Sequence, residues 1–538
     1  MAEFLVECYV SRTDGITVAR GEKRARIAAA ELTREGQPTH VLRSIFTPDD
    51  ETAFYLCEAG SIEAVKELAR RAALPLERVA KVAPVSSPAS TAARICGEER
   101  SETGDRVETS ARRRRPRTKG EKMTRSRVRL AALIGGVAAL IALGTPATAR
   151  ADTVTDWNQT AFTALNVTAG QDVRLVVLHM AMVHGAMYDA VNAIDDGYEP
   201  YLLSADTAKP TDSKRAAAAT AAYRVLLNLV PAQEAALTAK YEASLAAIAD
   251  GRAERRGIRV GNAAAEAMIE ARTGDGRFGT PFFPVGTDPG VWRPVLPAFG
   301  NDPLAWLGSV EPFLIRTPSQ FRSEGPYALT SAEYTAEFNQ VKELGSLTSA
   351  TRSADQTHAA RYWAENPPRT WNRIVRTLST QAGLSLTENA RLFAMVYLTA
   401  SDAFISVWDD KMFWRFWRPI TAIREANADG NPATVADPSW LPLIANPPYP
   451  EHPSGHLALT GSFAATLQDF FGTDAVFLTD TNVGGMTRSW TSFSQMIQEV
   501  VNARMWSGIH FLNGDEQAAE IAQAVADYRQ AHYFQPAD

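Results

Sequence analysis

Three short, widely separated stretches carry the residues best suited to chemistry. The first holds Trp408, Asp409, Asp410 and Lys411, followed by Trp417, Arg418 and Pro419. The second is the run Tyr449, Pro450, Glu451, His452, Pro453, Ser454, Gly455 and His456. The third runs from Arg504 through Gly508 to His510. Together they supply two arginines, a lysine, a serine, a glycine amide and two histidines, in a chain with only 8 histidines. A tetrahedral or trigonal-bipyramidal oxyanion has several oxygens and needs several donors, and this set fits one. Arginine offers a rigid fork for two oxygens at once. Lys411 and Arg418 lie seven positions apart, so a single helix would turn both cationic heads to one side. Pro419 limits continuation of that helix. Pro453 and Gly455 shape a helix entry where the Ser454 hydroxyl and free backbone N–H groups can point at an anion. His456 then stands over the bound group as a proton donor, and Gly508 permits a close turn before His510.

Each stretch also has a plainer reading. The first fits an amphipathic helix whose lysine and arginine snorkel past a ring-rich core. The second fits a helix start capped by Ser454, and the third a helix-end arginine beside a satisfied core histidine. A metal pair of His452 and His456 is disfavoured, because Pro453 and Gly455 interrupt any shared helical face. It is the convergence of all three stretches that argues for a site.

Positioning such residues requires long helices, and the chain from 152 to 538 has them. Apolar periodicity predicts helices over 172–194, 216–230, 233–249, 256–272, 331–343, 353–365, 388–408, 455–471, 493–506 and 515–532. Strand candidates there are few, so a mainly α fold built as one large helical bundle is expected. Loops over 273–327 and 425–453 are long enough to wrap the bundle and shape an entrance.

Residues 1–85 differ. Strand-like runs at 4–10, 40–46, 52–58 and 79–82 alternate with helices over 19–34 and from Ser61 to about 73. The order β-α-β-β-α-β predicts a small α+β ferredoxin-like domain. Residues 86–122 are rich in Ser, Pro, Thr, Arg and Glu without periodicity, and read as a disordered linker. From Met123, basic residues precede the apolar run Leu130 to Leu143, and small residues Ala149 and Ala151 follow. That is the layout of a secretory signal peptide, too short to span a bilayer comfortably. Three readings of 123–151 stay open. Met123 is the true start and the C-terminal part is exported; or the first domain stays in the cytoplasm and the segment is a marginal anchor; or it is a buried apolar helix.

Length and composition set outer limits. At 538 residues, two or more folded units are expected. Apolar residues at 45% and charged ones at 22% are ordinary for a globular chain, and a net charge of -6 gives no footing for nucleic acid. The cysteines, Cys8, Cys57 and Cys96, all precede the helical part, which therefore has no disulfide or thiol chemistry. Cys8 and Cys57 lie in apolar runs and read as buried thiols.

The three stretches together resemble the vanadium-dependent haloperoxidases and the acid phosphatases of the type-2 phosphatidic acid phosphatase superfamily. The family pattern is a lysine, six residues and Arg-Pro; then Pro-Ser-Gly-His; then an arginine followed six positions later by a histidine. All three parts occur here in order. Likeness to bacterial haloperoxidase-like proteins extends to the run His184 to Asn192, to Trp292, Arg293 and Pro294, and to Trp371, Asn372 and Arg373. The resemblance implies vanadate as cofactor, with His510 as its metal ligand and Lys411, Arg418 and Arg504 balancing the oxygens' charge. Ser454 and the Gly455 amide would donate hydrogen bonds, and His456 would handle the proton. Trp408 would lie near the cofactor and Tyr449 on the halide side. The implied activity is oxidation of halide by hydrogen peroxide to a hypohalous species that halogenates an acceptor, with Lys411 polarising the peroxide. The rival is phosphatase chemistry through a phosphohistidine at His510, and a third reading is an oxyanion- or metal-binding protein without turnover. An organic acceptor and a homo-oligomer both stay open. Two departures stand out: Ala503 replaces a common serine, and position 514 is glycine where an aspartate is usual, with Asp515 one step later.

The first unit resembles a small family of bacterial domains, some of which bind nickel. The likeness rests on Phe4 to Glu7, Leu42 to Ser44 and Pro48 to Glu51. His40 is the single histidine there, too few ligands for one chain alone, although a dimer would double them.

Overall fold

The computed structural model describes residues 2–9, 15–47, 52–72, 74, 76–81, 152–203, 208–280 and 282–537. The linker and the signal-like segment expected over 86–151 lie outside the described residues. The chain divides into two compact units, residues 1–135 and 136–538.

The first unit contains β1 (Ala2–Tyr9), α1 (Gly15–Arg34), β2 (Thr39–Thr47), β3 (Thr52–Ala59), α2 (Ile62–Arg71) and β4 (Leu76–Lys81). The strands form one antiparallel sheet in the order β2-β3-β1-β4, with Leu5 paired to Leu56 and to Ala80. This is the βαββαβ order read from the sequence. Ser61 caps α2 by accepting a hydrogen bond from the Ala64 amide. Alternate residues of β1 (Phe4, Val6 and Cys8) point into a core shared with Leu32, Val65 and Leu68. Cys8 and Cys57 are both buried. His40 is exposed, and the described residues hold no group of three potential metal ligands.

The second unit is mainly helical: α3 (Thr153–Phe162), α4 (Val173–Asp195), α5 (Lys214–Leu229), α6 (Glu234–Ala246), α7 (Arg252–Ala271), α8 (Ala332–Leu344), α9 (Ala354–Tyr362), α10 (Pro367–Ala382), α11 (Leu386–Trp414), α12 (Pro419–Arg424), α13 (Gly455–Phe471), α14 (Phe493–Trp506) and α15 (Leu512–His532). Between α13 and α14, β5 (Ala475–Thr481) pairs with β6 (Thr487–Ser492) as a hairpin. Helix α11 is the axis, packing on α4, α13 and α15. It is long and apolar enough to cross a membrane, yet 94% of its apolar window is buried within the unit. The bundle core uses it from every side.

Local chemistry sets where these helices begin and end. Ser353 with Gln356, and Ser385 with Glu388, form capping boxes at α9 and α11. Pro367 and Pro368 start α10, where a missing N–H costs nothing. Helix α11 runs past 408 to Trp414 and stops at Arg415, which is left-handed at φ 49°. Arg418 is therefore not on the same helix as Lys411. It stands just before α12, and the helical-spacing argument for their convergence is replaced by a loop that both reach.

The first of the two long loops, 273–327, is tied to α11 by two buried carboxylates. Asp402 accepts from the amides of Phe313, Leu314 and Ile315 at 2.6, 2.6 and 2.9 Å. Asp410 accepts from Arg322 at 3.0 Å and from the Ser323 amide at 2.7 Å. Such a loop spends few conformational states on disorder, and its backbone polar groups are satisfied inside the protein.

Candidate functional site

Lys411 lies in the last turn of α11 and is fully buried. Its ammonium donates to the carbonyls of Pro450 and Glu451, both at 2.9 Å, and to that of Pro453. Arg418 reaches the same loop, donating to the carbonyls of Tyr449 at 3.0 Å and Pro450 at 3.3 Å. The Pro450 carbonyl is thus shared by the two cations. From the opposite side Arg418 Nη1 donates to the Ile509 carbonyl at 2.8 Å and meets His510 Nε2 at 3.2 Å. Tyr449 packs among the cations, its ring 5.2 Å from Lys411 Nζ, 5.1 Å from the Arg418 guanidinium and 5.4 Å from that of Arg174.

Ser454 is the residue before α13, but its side chain does not cap the helix. The capped-start reading therefore fails, and the hydroxyl is left for another partner. Its amide donates to the Gly514 carbonyl at 2.8 Å. Gly455 opens α13 under the Trp408 indole; a Cβ there would lie 2.7 Å from the ring. His456 follows in the first turn, edge-on to Trp363 with centroids 6.2 Å apart. Arg504, in the last turn of α14, donates to the Trp363 carbonyl at 3.0 Å. Gly508 makes the turn from α14 at φ 77°, with Gly345 and Pro442 pressed against the face a side chain would occupy. His510 is set by that turn just before α15, and its Nδ1 lies 2.7 Å from Glu451 Oε1.

All seven residues named from the sequence are buried. Lys411, Arg418, Arg504 and His456 lie close enough to His510 to oppose its protonation together. Ser454, Arg504 and Arg418 act likewise on the Asp515 carboxyl. The three stretches thus meet in one place. His452 does not join them: its Nε2 is 3.1 Å from Ser323 Oγ, in a separate cluster with Asp410.

The electrostatics of this place are unbalanced. Burial pushes Lys411 well below its ordinary range and Arg418 down to about 10, and the cations add to each other's cost. Burial also holds His456 and His510 neutral. The nearby carboxyls offset the charge only in part, since burial raises Glu451 to about 7 and Asp515 well above the usual carboxylate range. Several buried polar atoms have no protein hydrogen-bond partner, among them Arg504 Nε, His456 Nε2, Ser454 Oγ and both Asp515 oxygens. The Ser454 hydroxyl influences the Asp515 carboxyl without reaching good hydrogen-bond geometry with it. Buried cations and open donors of this kind are costly unless an anion joins them. A multiply charged oxyanion fits both deficits, in charge and in acceptors.

Residues 391–538 match the family model of the vanadium chloroperoxidase second helical-bundle domain. A vanadium chloroperoxidase from Curvularia inaequalis is 29% identical over 226 residues, covering 34% of this chain. The C-terminal part of the helical unit is thus similar to the vanadium chloroperoxidases. The chain spans 36% of the length of that Curvularia chloroperoxidase. The fold is shared with a bacterial vanadium-dependent iodoperoxidase at a TM-score of 0.61 and 23% identity, covering 71% of this chain and 97% of the other. It is shared with a holo bacterial vanadium-dependent chloroperoxidase at 0.55 and 16%, covering 72% and 94%. The expected fold class, a helical bundle of haloperoxidase type, is the one observed.

Reading the three stretches from sequence left two acidic residues without roles. Glu451 is fully buried, and its only visible signal was its place inside the second stretch. Asp515 faces Ser454 from the first turn of α15, although it is displaced by one position from the usual aspartate. Trp363, whose carbonyl holds Arg504, gave no signal at all.

Proposed function

We propose that the helical unit binds vanadate and oxidises halide with hydrogen peroxide to a hypohalous species, which halogenates an acceptor. The observation that carries this is the cluster of buried, anion-deficient cations around a histidine whose Nε2 acts as an acceptor. Bound vanadate supplies a Lewis acid of fixed oxidation state that activates peroxide toward halide. His510 Nε2, the ring nitrogen that carries the lone pair, would hold the metal once the Arg418 N–H yields to it. Lys411, Arg418 and Arg504 would hold the oxygens by charge. The Ser454 hydroxyl and the Gly455 amide, at the start of α13, would orient them. His456, kept neutral by burial and by Arg504, can accept a proton and return it. Trp408 and Tyr449 pack with ring centroids 5.1 Å apart beside Lys411 and exclude water from its side.

The basic, apolar and small-residue layout of 123–151 supports export of this unit, which fractionation of expressing cells would test. The function itself is tested on the full chain freed of vanadate. Bromide oxidation by peroxide is assayed before and after vanadate is added, with p-nitrophenyl phosphate hydrolysis in parallel. Vanadate-stimulated bromide oxidation is expected. Hydrolysis inhibited by vanadate, without halide oxidation, would overturn the proposal in favour of phosphatase chemistry.

A further inference from the structure

We infer that Glu451 is the positioning residue for His510, and that it takes the space a carboxylate side chain at position 514 would need. This rests on the site reading above but concerns a residue that reading does not use.

The direction of the ring proton follows from the partners. Arg418 can only donate, so His510 Nε2, 3.2 Å from Arg418 Nη1, is the accepting nitrogen. A neutral imidazole then carries its one proton on Nδ1. That proton points at Glu451 Oε1, 2.7 Å away. The same oxygen accepts from the Phe511 amide at 3.2 Å, at the start of α15. Arg418 and this carboxylate together fix the ring's tautomer, and the carboxylate also ties the ring's rotation to the backbone beside it.

The Glu451 side chain is held in place by its own backbone. Its amide donates to the Phe416 carbonyl at 2.9 Å, and its carbonyl accepts from Lys411 at 2.9 Å. Displacing Glu451 would therefore disturb Lys411 as well as His510. The space around it is closed by Gly514. A Cβ at 514 would lie 2.6 Å from Oε1 and 3.1 Å from Oε2 of Glu451. A carboxylate rooted at 514 would need the place that the Glu451 carboxylate holds. The glutamate on the loop and the glycine on the helix are a matched pair.

The test uses the full chain with histidine labelled with nitrogen-15 and vanadate removed. Long-range proton–nitrogen spectra read the His510 tautomer, assigned against His510→Gln. The wild type is expected to show Nδ1 protonated and Nε2 bare. Glu451→Ala should lose that signature and weaken vanadate binding by about 10- to 100-fold in equilibrium dialysis. Glu451→Gln, which retains an acceptor oxygen, should keep the tautomer and lose less affinity. Gly514→Asp alone should disturb the signature, and the double variant Glu451→Ala with Gly514→Asp should restore it. An unchanged tautomer in Glu451→Ala, or a double variant no better than Glu451→Ala, overturns the inference. If Glu451→Ala fails to fold, the Gly514→Asp and Glu451→Gln spectra decide it alone. A tautomer response in a chain that never binds vanadate would uphold Glu451 and sink the proposed function instead.

Discussion

Two polar clusters sit on either side of the end of α11, and their contrast separates architecture from chemistry. Asp410 and Lys411 are sequence neighbours, yet they face different environments. Asp410 is closed: Arg322, the Ser323 amide and the Ser323 hydroxyl all donate to it, and Ser323 is also bridged to His452 and Trp414. Lys411 is surrounded by carbonyl dipoles and other cations, and forms no salt bridge at 4.0 Å or less among the described residues. Among buried aspartates the contrast repeats. Asp402 accepts three backbone N–H groups, while both Asp515 oxygens are open. A closed polar cluster stabilises a fold by itself. An open one is completed by something that binds, and the open atoms here lie where the three sequence stretches meet.

The comparison can be broken at several points. The largest effect is expected at His510: His510→Ala should abolish vanadate-dependent bromide oxidation, and full retained activity would remove it from the site. Next, Lys411→Met should weaken vanadate binding by about 2–5 kcal/mol in equilibrium dialysis, while thermal stability without vanadate stays level or rises. A buried cation without a counter-anion is replaced there by an apolar chain of similar length. In the closed cluster the pattern should reverse. Asp410→Ala should cost about 1–3 kcal/mol in denaturant unfolding, because Arg322 and the Ser323 amide lose their acceptor. Losses of the same kind at Lys411 and Asp410 would erase the distinction.

The smallest effect, when read over a single pH unit, concerns a histidine of the interior. His184 stacks on Tyr397 and Phe393 with centroids 5.1 Å away, and burial pushes it down to about 3. Its folded value lies below the unfolded one near 6.5, so its contribution is complete above that pH and is lost as pH falls toward 3. Relative to His184→Gln, the wild type should lose about 1.4 kcal/mol per pH unit in that window, measured by urea unfolding. A pH-independent difference would contradict the burial of a neutral ring.

Much of this molecule could be read from its residues because helices with continuous apolar faces carry their own signal. Helices α4, α13 and α14 appear within a residue or two of the periodicity, and Pro453 with Gly455 marks the start of α13. Helix α10 was missed, since Pro367, Pro368 and Arg369 mask a start whose apolar face appears only from Trp371 onward. The hairpin β5–β6 was missed because the polarity of β5 does not follow its alternating burial: Phe477 is exposed and Asp480 is buried. The cationic and imidazole residues were legible by type and spacing. Their meeting point was not, because Arg418 reaches Lys411 through the Pro450 carbonyl rather than along a helix. Glu451 was hidden for the same reason: its partner His510 is 59 positions away.

The most direct test of the central claim is the binding stoichiometry of vanadate on the full chain, by equilibrium dialysis with phosphate as competitor. One vanadate per chain is predicted, displaced by phosphate and weakened by His510→Ala and by Arg418→Ala. Absence of binding, or binding indifferent to both substitutions, would contradict it.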